Sequence, residues 1–218
     1  MRSVSVLVVD DHPLFSRGLA SLINAEPEFT VVGQARNSAE ALTLQDATHP
    51  DLAIVDLNLG DEDGLDLIRQ LRRDNAGLRI LVLSMHDERF YSERALNAGA
   101  QGYIMKEEVG SQVLDAVRAI IAGETWLSEA EQLRLEDYRN QETAMSGEPQ
   151  WYASVDKLSD RQLRIFSLIG KGFGTIEIAT TLDLSTKTVD THKEHIKQKL
   201  HCATTQELRQ LAIEWANR

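Results

Sequence analysis

The first 123 residues alternate short apolar runs with longer amphipathic stretches, and that alternation leaves few folds open. Val4–Val9 is a mostly β-branched run that stops at Asp10-Asp11. Thr30–Gln34, Leu52–Val55, Ile80–Ser84 and Gly102–Met105 read as four more strands. Leu14–Ile23, Ser38–Ala47, Gly64–Arg73, Glu88–Ala98 and Ser111–Ala122 read as helices. Near-continuous apolar strands separated by helices of this length imply a parallel sheet covered on both faces. The expected fold is α/β: a doubly wound, flavodoxin-like domain with a five-stranded parallel sheet, whose functional groups gather at the carboxyl ends of the strands.

The pattern stops after residue 123. Glu129–Tyr138 could extend as a polar helix, and Asn140–Glu148 gathers polar residues beside Gly147 and Pro149, so 124–156 reads as a linker. Trp151 and Tyr152 at its far end are expected to pack against the C-terminal domain, a contact between the domains being the alternative. Residues 157–218 read as all helix. Ser159 with Gln162 is a capping signature, and Leu163, Ile165, Phe166, Leu168 and Ile169 then supply an apolar face. Ile176–Leu182 is a short helix, Thr186–Leu200 a longer one capped by Ser185, and Thr205–Trp215 a last one.

Charge divides along the same line. Residues 1–154 hold 13 Lys and Arg against 26 Asp and Glu, whereas 155–218 hold 10 against 8. The acidic part is unsuited to nucleic acid, and the C-terminal part is not. No apolar run reaches membrane-span length, and no signal peptide is evident, so a cytoplasmic protein is expected. The single cysteine, Cys202, excludes an internal disulfide and a Cys-based zinc site.

Placing the polar residues on the strand ends puts Asp10 and Asp11 after the first strand, Asp56 after the third, Ser84 at the end of the fourth and Lys106 after the fifth. Three carboxylates in one pocket repel unless a cation neutralises them, and a hard divalent ion with oxygen ligands, Mg2+, meets that need. Lys106 and Ser84 would offer a charge and a hydroxyl to an anion at Asp56, and an ionised Asp beside Mg2+ can attack a phosphoryl donor.

This set, with the loop Asp-Leu-Asn-Leu-Gly-Asp-Glu-Asp-Gly at 56–64, resembles the receiver domain of two-component response regulators. The resemblance implies that Asp56 accepts phosphate from a sensor histidine kinase, and that Asp10, Asp11, Asp56 and the Asn58 carbonyl hold Mg2+. It further implies that Lys106 pairs with the phosphoryl group and that Ser84 and Tyr103 form a switch pair. Leu59-Gly60 stands where many receivers carry Met-Pro, and Glu107 where Pro is frequent.

A short helix, a tight connection and a longer helix make a helix-turn-helix, whose second helix enters the major groove. On Thr186–Leu200, the donors for phosphates or base edges are Lys187, Thr188, Thr191, His192, His195, Lys197 and Lys199. The strings Leu158-Ser159-Asp160-Arg161-Gln162, Ile176-Glu177-Ile178-Ala179, Thr188-Val189-Asp190-Thr191-His192 and Lys199-Leu200 resemble the LuxR-type DNA-binding domain. Joined to a receiver, this is similar to the NarL/FixJ class of transcriptional regulators. The resemblance implies a phosphorylation-dependent homodimer on double-stranded promoter DNA, contacted by Lys187, Thr188, Thr191, His192 and Lys193. Asp190 and Glu194 on or near the same side repel phosphate, so monomer binding is expected to be weak and salt-dependent. An aspartate-nucleophile phosphatase of the haloacid dehalogenase type would also use Mg2+. It needs an acid two residues after the nucleophile, where this chain has Asn58.

Overall fold

The computed structural model describes residues 3–60, 62–85, 88–142, 151–155 and 157–216. The chain divides after residue 143 into two compact units.

The first unit is built on five strands: β1 (Val4–Val9), β2 (Phe29–Ala35), β3 (Leu52–Asp56), β4 (Arg79–Ser84) and β5 (Gly102–Met105). They lie parallel in the order β2-β1-β3-β4-β5. Side chains alternate across the sheet, so Val6, Val8, Leu52, Ile54, Leu81, Leu83 and Ile104 share one face. Helices α1 (Pro13–Asn24) and α5 (Val109–Ala122) cover it, burying Leu19, Ile23, Val113, Val117 and Ile120 in the same cluster. The opposite face carries Leu7, Ala53, Val55, Ile80 and Val82, all buried. Helices α2 (Ser38–Thr48), α3 (Gly64–Asp74) and α4 (Glu88–Ala98) pack on that side of the sheet. Burial on both faces explains why these strands are near-continuous runs of Val, Ile, Leu and Ala.

The stretch from 124, expected as linker, is corrected at its start. Trp126 pairs with the outer edge of β5: Tyr103 N–H donates to the Trp126 carbonyl at 2.9 Å, and Trp126 N–H to that of Gln101 at 3.0 Å. Helix α6 (Glu129–Glu142) then docks on α4, with Leu135 buried and several polar groups engaged. Glu131, only 2% exposed, accepts from the buried Ser92 hydroxyl and is forked by Arg134 at 2.7 and 2.8 Å. The Ser128 N–H donates to Glu88 Oε1 at 3.0 Å, and burial pushes that carboxyl above its ordinary range. The remainder of the expected linker, 143–150 with Gly147 and Pro149, lies outside the described residues.

The second unit is helical: α7 (Tyr152–Val155), α8 (Asp160–Gly170), α9 (Thr175–Thr181), α10 (Thr186–Leu200) and α11 (Thr205–Ala216). Ser159 and Gln162 close a reciprocal capping box at α8. Leu163, Phe166, Ile178, Val189, Ile196, Leu208 and Ala212 form the core, and the Phe166 and Trp215 rings meet at 5.5 Å between centroids. Trp151 lines a cavity of about 410 Å3 in this unit with Leu200, Cys202 and Leu211. Cys202 is half-buried, and burial pushes its thiol up.

Candidate functional site

The sheet register delivers the acidic groups together. Val9 lies across from Val55, and Asp56 across from Leu83, so Asp10 and Asp56 leave neighbouring strands at the same end. Both carboxylates are 2% exposed. Lys106, first residue after β5, sends its Nζ between them, 2.6 Å from Asp10 Oδ2 and 2.6 Å from Asp56 Oδ2. The ammonium also sits 4.5 Å from the centroid of the Phe15 ring.

Burial pushes the Asp56 carboxyl up to about 6, against the pull of Lys106 and of the Asn58 N–H that donates to Oδ1 at 2.9 Å; Asp10 pushes the same way as burial. Burial also opposes charge on Lys106, but the two carboxylates outweigh it and hold the ammonium above its ordinary range. A buried carboxylate pair with one ammonium is left one charge short, which is the electrostatic opening a divalent cation fills.

The Asp56–Gly64 loop is shaped by glycine at two points. Gly60 sits at φ +65 at the tip of a small antiparallel ladder that pairs Asn58–Leu59 with Glu62–Asp63. Proline, held near φ −65°, cannot take that conformation, so the departure from Met-Pro has a backbone cause. At Gly64 a Cβ would lie 2.5 Å from the Leu57 Cα. Asp63 caps α3, accepting from Leu65 N at 3.0 Å.

Asp10, Asp11, His12 and Asp56 bring one ligand atom each within 4.8 Å of one another. Asp11 Oδ1 is shielded from solvent and makes no hydrogen bond, with the His12 Nδ1 2.7 Å away. A shielded carboxylate oxygen without a hydrogen bond, gathered with two other carboxylates, fits a cation of the Mg2+ type. His12 was not among the residues picked from the sequence; its adjacency to Asp10-Asp11 was the available signal. Ser84 ends β4 across from Met105, fully buried, and Tyr103 is 1% exposed.

In the second unit the α9–α10 connection turns through Asp183 at φ +52, and Ser185 caps α10 by accepting from Thr188 N at 3.0 Å. Lys187, Thr191 and His195 are exposed, the Thr191 hydroxyl donating to the Lys187 carbonyl. Three other lysines of α10 are engaged inside the unit. Lys193 donates to Thr175, Lys197 pairs with Glu194 at 2.8 Å, and Lys199 donates to Lys157 O and Gln162 Oε1, each at 2.8 Å. His192 has a buried Nδ1 without a partner, and burial, with Arg161 and His195, holds it below its ordinary range. At neutral pH it therefore brings no charge to the surface.

Two family descriptions match this architecture: "Response regulator receiver domain" over residues 6–118 and "Bacterial regulatory proteins, luxR family" over 156–212. The chain is 31% identical over 209 residues to the virulence factors putative positive transcription regulator BvgA of Bordetella pertussis, covering 95% of each. It is 33% identical over 196 residues to the nitrate/nitrite response regulator protein NarL of Escherichia coli, covering 90% of this chain and 88% of that one. The chain belongs to the NarL/FixJ class of response regulators. A crystal structure of a LuxR-family two-component response regulator from Aurantimonas shares 31% identity, with a TM-score of 0.59 over 63% of this chain and 99% of that one. As a response regulator of this class the protein is a DNA-binding transcription regulator and not an enzyme, with an acidic pocket of the kind in which receivers bind Mg2+.

Proposed function

We propose that this regulator is switched by phosphorylation of Asp56 by a cognate sensor histidine kinase in the cytoplasm, and that the phosphorylated form is a homodimer on double-stranded promoter DNA. The observation that carries this reading is the buried Asp10–Lys106–Asp56 arrangement at the carboxyl ends of β1, β3 and β5. Asp10, Asp11, Asp56 and the Asn58 carbonyl would hold Mg2+, which when bound offsets charge on the transferring oxygens. Asp56 is the nucleophile. Lys106, already tethered beside it, then has a phosphoryl oxygen in place of a carboxylate oxygen as its partner. Ser84, at the end of β4, and Tyr103, within the neighbouring β5, relay the new charge to α4, β5 and α5.

On the DNA side, Lys187, Thr188, Thr191 and His195 would meet DNA from α10, with His192 contributing as a neutral ring. Lys193 and Lys197 would first have to leave Thr175 and Glu194. With 10 basic against 8 acidic residues in 155–218, one unit has little charge to spend on phosphates, and pairing two on adjacent half-sites supplies the missing affinity. Among the described residues no helix is long and apolar enough to cross a membrane.

The test is intact mass and solution size after incubation with Mg2+ and acetyl phosphate. Gain of one phosphoryl group and a shift to dimer are expected, both lost in Asp56→Asn. Dimerisation of Asp56→Asn in response to the donor would overturn the reading.

A further inference from the structure

Beside the carboxylate site a second hollow opens between the start of α1 and the end of β2. It encloses about 220 Å3 and is lined by Asp10, Pro13, Ser16, Arg17, Gln34 and Arg36. Asp10 is a wall of both spaces. The floor is polar and neutral: Ser16, 5% exposed, donates from Oγ to Gln34 Oε1 at 3.0 Å. The Gln34 amide N–H groups stay available as donors.

The rim carries two exposed guanidinium groups, and among the described residues neither pairs with a carboxylate. The neighbouring acids are spoken for. Asp10 has Lys106 at 2.6 Å, while Glu40 accepts from the Arg36 backbone N–H at 2.9 Å and from Asn37 at 3.2 Å. That bond anchors the Arg36 backbone and leaves its side chain to solvent. Two uncommitted cations at a polar hollow, in a part of the chain with twice as many acids as bases, favour a small anion there.

We propose that this hollow is the leaving-group subsite for small acyl-phosphate donors. The proposal rests on the reading of Asp56 as phosphoacceptor. An Asp56 carboxylate oxygen forms the new bond to phosphorus, and the bond from phosphorus to the bridging acyl oxygen breaks. The bonding pair departs on a carboxylate. No proton moves, and one mixed anhydride replaces another. Negative charge thus builds on a carboxylate oxygen, the group that a guanidinium recognises best. Phosphoramidate transfers the same phosphoryl group but releases ammonia from a nitrogen already protonated, so the arginines have no developing charge to stabilise.

The test compares initial phosphorylation rates of the full chain, read by intact mass in excess Mg2+, for wild type and the Arg17→Gln/Arg36→Gln double variant with each donor. The double variant is expected to lose about tenfold in second-order rate constant with acetyl phosphate, or about 1.4 kcal/mol in the transition state, and less than about twofold with phosphoramidate. The second donor also reports that the variant is folded. Equal losses with both donors would make the arginines general attractors of anions, and no loss with either would leave the hollow without a role; each overturns the subsite. Wild type that takes phosphate from neither donor refutes instead the assignment of Asp56, and the subsite with it.

Discussion

Replacing Asp56 by Asn in the absence of divalent cations should stabilise the first unit, and by an amount that depends on pH. Asp56 is 2% exposed and holds its proton to about 6, whereas an unfolded chain releases it near 3.8. The folded state therefore binds more protons across that window, and stability falls as pH rises through it, then stays at the lower level. The distance from 3.8 to about 6 is worth about 3 kcal/mol, with the attraction of Lys106 already included. Asn keeps an acceptor for the Asn58 N–H and is uncharged at every pH. The expected gain is about 2–3 kcal/mol at pH 8 in chelator and about half that at pH 5. Urea-dependent hydrogen exchange of peptides covering β1 and β3, read by mass spectrometry, reports this unit alone. An Asn variant no more stable than wild type at pH 8, or a gain that ignores pH, would refute the reasoning.

Lys106→Met leaves Asp10 and Asp56 buried without a counter-charge and should cost the first unit about 3–5 kcal/mol in chelator, with millimolar Mg2+ restoring part of it; thermal unfolding with and without the ion checks this. Glu131→Gln removes the charge that Arg134 forks, so amide exchange across 127–136 should speed up while β1 is unchanged. Lys187→Ala should weaken promoter binding across sequences and lower the slope of log K against log salt by about 1, measured by fluorescence anisotropy over a salt series.

The sheet was legible because its strands are buried on both faces, and such strands write themselves as runs of Val, Ile and Leu that few other folds use. Apart from the end of α6, helix bounds came within two residues, and they matched at both ends of α10, where the Ser185 cap is spelled out. The docking of α6 was not legible. Beside the buried Leu135 it uses Ser92 with Glu131 and Glu88 with Ser128, polar pairs 39 and 40 residues apart that carry no period. Trp126 was missed for a similar reason: one residue of strand pairing has no pattern. At the acidic site, strand ends named Asp10, Asp11, Asp56 and Lys106 because a parallel sheet sends consecutive carboxyl ends to one edge. Which lysines of α10 are spent internally could not be read, since Lys193, Lys197 and Lys199 differ from Lys187 only in what lies opposite them.

The pairing of Trp126 with β5 leaves the sheet with two unlike margins. At β5 the outward backbone groups of Gln101 and Tyr103 are already engaged by the chain itself. At β2, the other end of the strand order, the Phe29 N–H donates to the Glu26 carbonyl at 3.1 Å and the Val31 N–H to Asn24 Oδ1 at 2.8 Å, but Phe29–Ala35 carries no charged residue and no proline, the usual devices that discourage a further strand from adding. A further strand adding to this sheet would therefore start on β2 beyond Val31, and a lysine at the exposed Thr30 would discourage it.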